Sequence, residues 1–327
     1  MRKVFRSKKK INKLNTRGFL QKTTLIGLNK LLIFLTAVAM ILLSDCSGSS
    51  TIQSTTIGSV LAVETFLADM TKNVVGDRMT VETLLPVGVD LHSYQPSPRD
   101  IIKVTKSSVI IISGGGIEGF LTSMLQNAST TPIMITASDG IVTLAGSSEF
   151  PQGDPHFWLD PIQAIQYVEN IRDGLIRVDP GGEQVYRQNA DNYIKELNDL
   201  DAWIKKQVEL IPAENRKLIT NHDSLGYFAR RYGFEVIGSL IPGLSSESAP
   251  TAKDLINLVE HIKSSGAKVI FLETGVSTKL ADQISGETDV KLVTDLYIGS
   301  LSQPNGPAAT YIDMMKYDVT RIVDALK

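Results

Sequence analysis

From Ile57 to the C-terminus the sequence alternates short apolar runs with amphipathic stretches, and that rhythm restricts the fold more than any other feature. Strands that alternate with helical patterns form βα units and a mainly parallel sheet. Strands are expected at Gly58–Val63, Thr80–Leu85, Ser108–Ser113 and Pro132–Thr136, with helices at Glu64–Val75, Pro98–Lys106 and Ile117–Gln126 between them. A second set follows, with strands at Lys217–Thr220, Phe234–Ser239, Lys268–Leu272 and Lys291–Thr294. Its helices are expected at Ser224–Tyr232, Thr251–Ser264, Thr278–Ser285 and Ala308–Leu326. Thr251 with Asp254 three residues on has the form of a capping box.

Two sets imply two α/β lobes, as does a length of 327 residues, beyond which a single core seldom keeps growing. The first lobe spans 57–178 and the second 213–327, with 179–212 between them. After a helical stretch at Asp160–Val178 and the break Asp179-Pro-Gly-Gly182, the segment Glu183–Leu210 repeats Tyr186, Tyr193, Leu197, Leu200, Ile204 and Val208 at helical spacing. At 1.5 Å per residue it would run about 40 Å, long enough to span a domain as a rigid connecting helix.

The N-terminus reads as an address. Ten basic and no acidic side chains fall in the first 30 residues, followed by the apolar run Leu31–Leu43, which has the length of a signal-peptide core rather than of a membrane span. Cys46, the only cysteine, follows at once, where a lipoprotein signal places the residue that is acylated after cleavage, although Asp45 stands where a small residue is usual. Residues 1–45 are read as a signal peptide and 46–56 as a tether, so the body is expected outside the cytoplasm on a membrane lipid anchor. Without that peptide, 23 basic face 34 acidic side chains, a formal charge near −11. Such a body is a poor partner for nucleic acid and is compatible with collecting cations.

Three of the four histidines occupy comparable positions. His92 lies in a turn-rich loop after a strand, His156 in Gly153-Asp-Pro-His-Phe-Trp-Leu-Asp-Pro161 just before a helix, and His222 between strand and helix. Open α/β sheets place their ligands at such junctions, and neutral imidazole suits first-row metals, Zn²⁺ above all. His261 sits inside a helical pattern and reads as a surface residue.

The stretches Leu85–Pro98, Gly116–Phe120, Asp154–Asp160 and Asn221–Phe228 together resemble the metal-binding (cluster A-I) solute-binding lipoproteins of bacterial ABC transporters, over about Ile57 to Lys327. The resemblance implies an ion held in a cleft between two lobes joined by one long helix. His92, His156, His222 and, from Leu292-Val-Thr-Asp-Leu-Tyr297, Asp295 are its implied ligands. It also implies delivery of the ion to a permease and its ATPase, by a monomer that is not an enzyme. Leu91 and Gln95 depart from the family's usual Pro and Glu without removing a ligand, and no His-rich insertion lies between His92 and His156. Three imidazoles and one carboxylate favour Zn²⁺, with Mn²⁺ as the alternative.

Rival readings are weaker. Gly114–Gly119 matches G-x-G-x-x-G, but two strands precede it, whereas a dinucleotide fingerprint belongs to the first βα turn. A zinc hydrolase would need an open coordination position and a base, for which Asp223 and Glu273 are candidates, yet no His-Glu-x-x-His pattern occurs. A surface adhesin of the same fold has no feature for or against it.

Overall fold

The computed structural model describes residues 59–126, 131–146, 150, 153–246 and 249–327. The signal peptide, tether and Cys46 lie outside the described residues. In the first lobe β1 (Ser59–Ala62), β2 (Thr80–Thr83), β3 (Val109–Ile112) and β4 (Ile133–Thr136) form one sheet in the order β2-β1-β3-β4, all pairs parallel. Helices α1 (Thr65–Val75), α2 (Pro98–Lys106) and α3 (Gly119–Gln126) connect them, and α4 (Pro161–Val178) follows. The second lobe repeats the order, β6-β5-β7-β8. Its strands are β5 (Lys217–Thr220), β6 (Glu235–Ser239), β7 (Val269–Glu273) and β8 (Lys291–Leu296), again parallel.

Both sheets therefore reverse strand order at the same place, between β1 and β3 and between β5 and β7. Each reversal opens a crevice beyond the carboxyl ends of the strands.

The connecting helix, α5 (Glu183–Val208), has 26 residues, about 39 Å. Its apolar stripe of Tyr186, Tyr193, Leu197, Leu200, Ile204 and Val208 is buried throughout. The stripe packs on α4, on α1 and on the last helix, α9 (Tyr311–Leu326), so α5 is a wall of the core along its whole length. One apolar cluster runs through both lobes, from Val60 and Ile111 to Phe271 and Val323, while a smaller one around Ile270 and Ile284 belongs to the second lobe alone.

The second lobe's remaining helices are α6 (Gly226–Tyr232), α7 (Ala252–Ser265) and α8 (Lys279–Thr288). Thr251 and Asp254 cap α7 reciprocally, as their spacing implies. Several helices begin later than periodicity suggests, α6 and α9 among them. For α9 the cause is a cap: Thr310 Oγ1 accepts from the Asp313 amide at 3.1 Å, which fixes the start at Tyr311 rather than Ala308. For α6 the loop after β5 is tied to the second lobe instead, Asp223 N donating to Gly243 O at 2.8 Å, and this leaves His222 outside the helix.

The chain recrosses between the lobes after β8. Leu301 N donates to Thr65 Oγ1 at 2.8 Å, Gly88 N to Ser300 Oγ at 2.8 Å, and Trp158 Nε1 to Ile298 O at 2.7 Å. The buried Trp158 stacks on Phe66 with centroids 4.6 Å apart and accepts at its carbonyl from Tyr311 Oη at 2.6 Å. These bonds fix the walls of the cleft.

Candidate metal centre

Three loops deliver the histidines. The first follows β2 and carries His92; Asp90 Oδ1 accepts from the His92 amide at 3.0 Å, turning the chain so that the ring faces inward. The second carries His156, whose amide donates to Asp154 Oδ1 at 2.9 Å in the same Asp-x-His turn. Gly115, at φ 70°, lets the first lobe approach this loop: a Cβ there would meet Pro155 Cβ at 3.1 Å and Phe157 at 3.0 Å. The third carries His222, two residues beyond β5 at the strand-order reversal.

The rings converge. His156 Nε2 lies 3.3 Å from His92 Nε2 and 3.3 Å from His222 Nε2. A tetrahedral ion with metal–nitrogen bonds of about 2.0–2.1 Å sets its donor nitrogens about 3.3–3.4 Å apart. Among the described residues these three side chains form the one cluster of potential metal donors.

Carboxylates set the tautomers. Asp154 Oδ1 lies 2.8 Å from His156 Nδ1, and Glu273 Oε1 lies 3.0 Å from His222 Nδ1. Each carboxylate favours the proton on Nδ1 and leaves a lone pair on Nε2, pointing at the common centre. Two such lone pairs 3.3 Å apart repel, and a cation between them removes the repulsion. Asn221 Nδ2 donates to Glu273 Oε1 at 2.8 Å and keeps that carboxylate in place.

Burial opposes protonation. The His92 ring is pushed down to about 2, by desolvation first and then by the neighbouring imidazoles, and His156 is also lowered by its burial. His222 moves the other way: burial works against its charge, but Glu273 outweighs that and raises it. Glu273 is correspondingly lowered, its own burial being overcome by His222.

Asp295, the fourth ligand implied by sequence, is not brought to this cluster. Its side chain is held by residues of α9 instead. There it accepts from Tyr317 Oη at 2.6 Å and from Arg321 Nη2 at 2.9 Å. His261 is exposed on α7, as its pattern implies. The G-x-G-x-x-G segment binds a carboxylate of its own chain: the Ser113 and Gly114 amides donate to Glu118, the latter at 3.1 Å. The signal for Asp90 and Asp154 is the repeated Asp-x-His spacing, which the pattern of strands and helices does not reveal.

Residues 60–325 match the family described as Zinc-uptake complex component A periplasmic. This chain belongs to that family. A manganese-binding lipoprotein of Halalkalibacterium halodurans is 30% identical over 296 residues, 90% of this chain and 97% of its own length. An iron-binding protein of Yersinia pestis is 31% identical over 80% of this chain and 84% of its own length. Among solved structures, a manganese-bound periplasmic metal-binding protein of Candidatus Liberibacter asiaticus is 31% identical with a TM-score of 0.75, covering 83% of this chain and all of that one. The periplasmic zinc-binding protein of Treponema pallidum is 25% identical with a TM-score of 0.75, covering 82% of this chain and 99% of that one.

Proposed function

We propose that this chain is an extracytoplasmic receptor that holds one transition-metal ion, Zn²⁺ in preference to Mn²⁺, on His92, His156 and His222 and passes it to an ABC importer. The convergence of three Nε2 atoms at 3.3 Å supports the reading most directly. Relatives of similar identity carry manganese, iron and zinc in their names, so the preference rests on donor chemistry: three neutral nitrogens suit Zn²⁺, whereas the harder Mn²⁺ prefers carboxylates. The permease and its ATPase follow from relatives named as ABC-transporter lipoproteins. All three histidines come from one chain, so a monomer suffices.

Metal analysis of protein purified without chelator, followed by competition of Zn²⁺ against Mn²⁺, tests this. One equivalent of Zn²⁺ that Mn²⁺ does not displace is expected; displacement by equimolar Mn²⁺ would reverse the preference. Cleavage after residue 45 and acylation of Cys46 complete the proposal. Cys46→Ser should release the protein from the membrane or stall its processing, and unchanged membrane association would argue for an uncleaved anchor.

A hydrolase would share the three-nitrogen shell. Of its two candidate bases, Asp223 and Glu273, the latter is already engaged by His222 and Asn221. Exposing the zinc-loaded protein to ester, phosphate and peptide substrates should give no turnover.

A further inference from the structure

Building on the metal-receptor reading, we infer that the loop from Pro86 to His92 is a gate, latched across the cleft by the hydroxyls of Ser246 and Ser300, and that this latch sets how fast the ion enters and leaves. His156 and His222 are buried, at 1% and 2% exposure, whereas His92 is only partly covered. The most exposed ring thus sits at the end of a loop that carries neither strand nor helix. Three contacts hold that loop against the second lobe. Gly88 N donates to Ser300 Oγ at 2.8 Å, and Ser246 Oγ donates to Asp90 Oδ2. Leu91 is buried against Gly299, where an added Cβ would lie 3.1 Å from Leu91 Cδ2. The latch reaches the ligand itself, because Asp90 Oδ1 accepts from the His92 amide.

Crossings between the lobes differ in burial. The bonds from Trp158 Nε1 to Ile298 O and from Leu301 N to Thr65 Oγ1 are buried, the Gly88–Ser300 bond is exposed, and the Asp90–Ser246 bond is half-buried. A buried donor that loses its partner is left unsatisfied, while an exposed one exchanges it for water at small cost. The buried crossings therefore hold the lobes together, and the two serine bonds can let go. Residues 88–92 and both serines line the cavity of about 540 Å³ beside the histidines, so a loop that swings off the serines removes one of its walls. The latch bonds run to Gly88 and Asp90, not to the imidazoles. They oppose opening alike for entry and for exit, so they govern both rates and leave the balance between bound and free ion nearly alone.

Stopped-flow measurements separate the two rates. Zn²⁺ uptake is followed by tryptophan fluorescence, since the Trp158 ring lies 5.4 Å from that of His156, and release by transfer of the ion to excess chelator. Ser300→Ala and Ser246→Ala should each speed uptake and release together, and the double variant should speed both by about tenfold with a Kd within about threefold of wild type. Ser300→Thr, which keeps a hydroxyl, should stay closer to wild type than Ser300→Ala, and the metal-free melting temperature should not move. Unchanged rates in the double variant would overturn the inference. So would faster release alone with a matching loss of affinity, because the hydroxyls would then hold His92 in place for the ion rather than hold a gate shut. Wild-type protein that takes up no Zn²⁺ would overturn the receptor reading, and this inference with it.

Discussion

The two lobes place their strand-order reversals alike and fill them differently. In the second lobe, His222 follows β5 and Glu273 ends β7, and the pair faces the cleft with a nitrogen lone pair directed outward. In the first lobe the corresponding ground is occupied by Glu64, just after β1, and Glu118, just after β3. Both are buried, and they face each other rather than the cleft. Burial first, and then the Glu118 charge, holds Glu64 well above the usual carboxylate range; burial pushes Glu118 up to about 7 against the amides that donate to it. The topology thus offers two equivalent crevices. Side chains decide that one faces the cleft with imidazole while the other closes on two buried carboxyl groups under a glycine-rich turn.

The largest effect should come from removing a histidine. A ligand that binds only the folded state stabilises it by about 4 kcal/mol when free ligand is a thousandfold above its dissociation constant. His92→Ala, His156→Ala or His222→Ala should abolish most of the Zn²⁺-induced rise in melting temperature while sparing the apo protein. A full rise in the triple variant would remove the second crevice from the binding site altogether. Acid should act through the same ring. Because His222 is raised, protons compete with metal for it already above the ordinary imidazole value of about 6.5, and Zn²⁺ affinity should fall as pH drops through that range.

Next in size is Glu273→Gln, which keeps the shape and weakens the acceptor at His222 Nδ1. Partners of this kind are worth about 10- to 100-fold in metal affinity. Calorimetry should show that loss with the stoichiometry unchanged, and an unaltered affinity would mean that His222 needs no orienting carboxylate.

Glu118→Gln probes the closed crevice and should leave Zn²⁺ affinity alone. A carboxyl raised in the folded state binds its proton more tightly there than in the unfolded chain. The pair therefore stabilises fully below about 4.5, and that contribution fades as pH rises through about 7. His92 and His156, whose values are lowered, give the opposite slope in the same window and the raised His222 the same one, so the test is the difference between wild type and variant in denaturant midpoints from pH 4.5 to 7.5. Wild type should lose stability relative to Glu118→Gln as pH rises; equal slopes would mean that the pair shares no proton.

Which parts of this contrast were legible in the sequence follows from the range of the forces involved. Strand and helix positions depend on local pattern, so the βα rhythm gave both sheets, and the buried stripe of Tyr186, Tyr193 and Leu197 gave the long helix. The histidines were legible because imidazole is rare here and each stood in a loop at the end of an element. Glu273 was noticed as acidic but in the wrong role, since only the packing of β7 beside β5 brings it to His222. Glu64 and Glu118 lie far apart in sequence, and no local signal pairs them.

Asp295 shows the limit most clearly, and it carries the smallest predicted effect. A short motif match cannot report which face of a strand a residue occupies, and a shift of one position moves a side chain from cleft to exterior. In this structure Asp295 is paired with Tyr317 and Arg321 of α9 and stands apart from the three imidazoles. Its pair with Arg321 is about two-fifths exposed on both sides, 38% and 41%, and such pairs contribute roughly 0–1 kcal/mol. Asp295→Ala should therefore lower the apo melting temperature slightly, more at low than at high salt, and leave Zn²⁺ affinity within error of wild type. Adding Arg321→Ala to it should cost little more, because the partner is already lost. A tenfold fall in Zn²⁺ affinity on Asp295→Ala alone would instead mean that β8 turns over when metal binds, bringing the second lobe's outer face into its crevice.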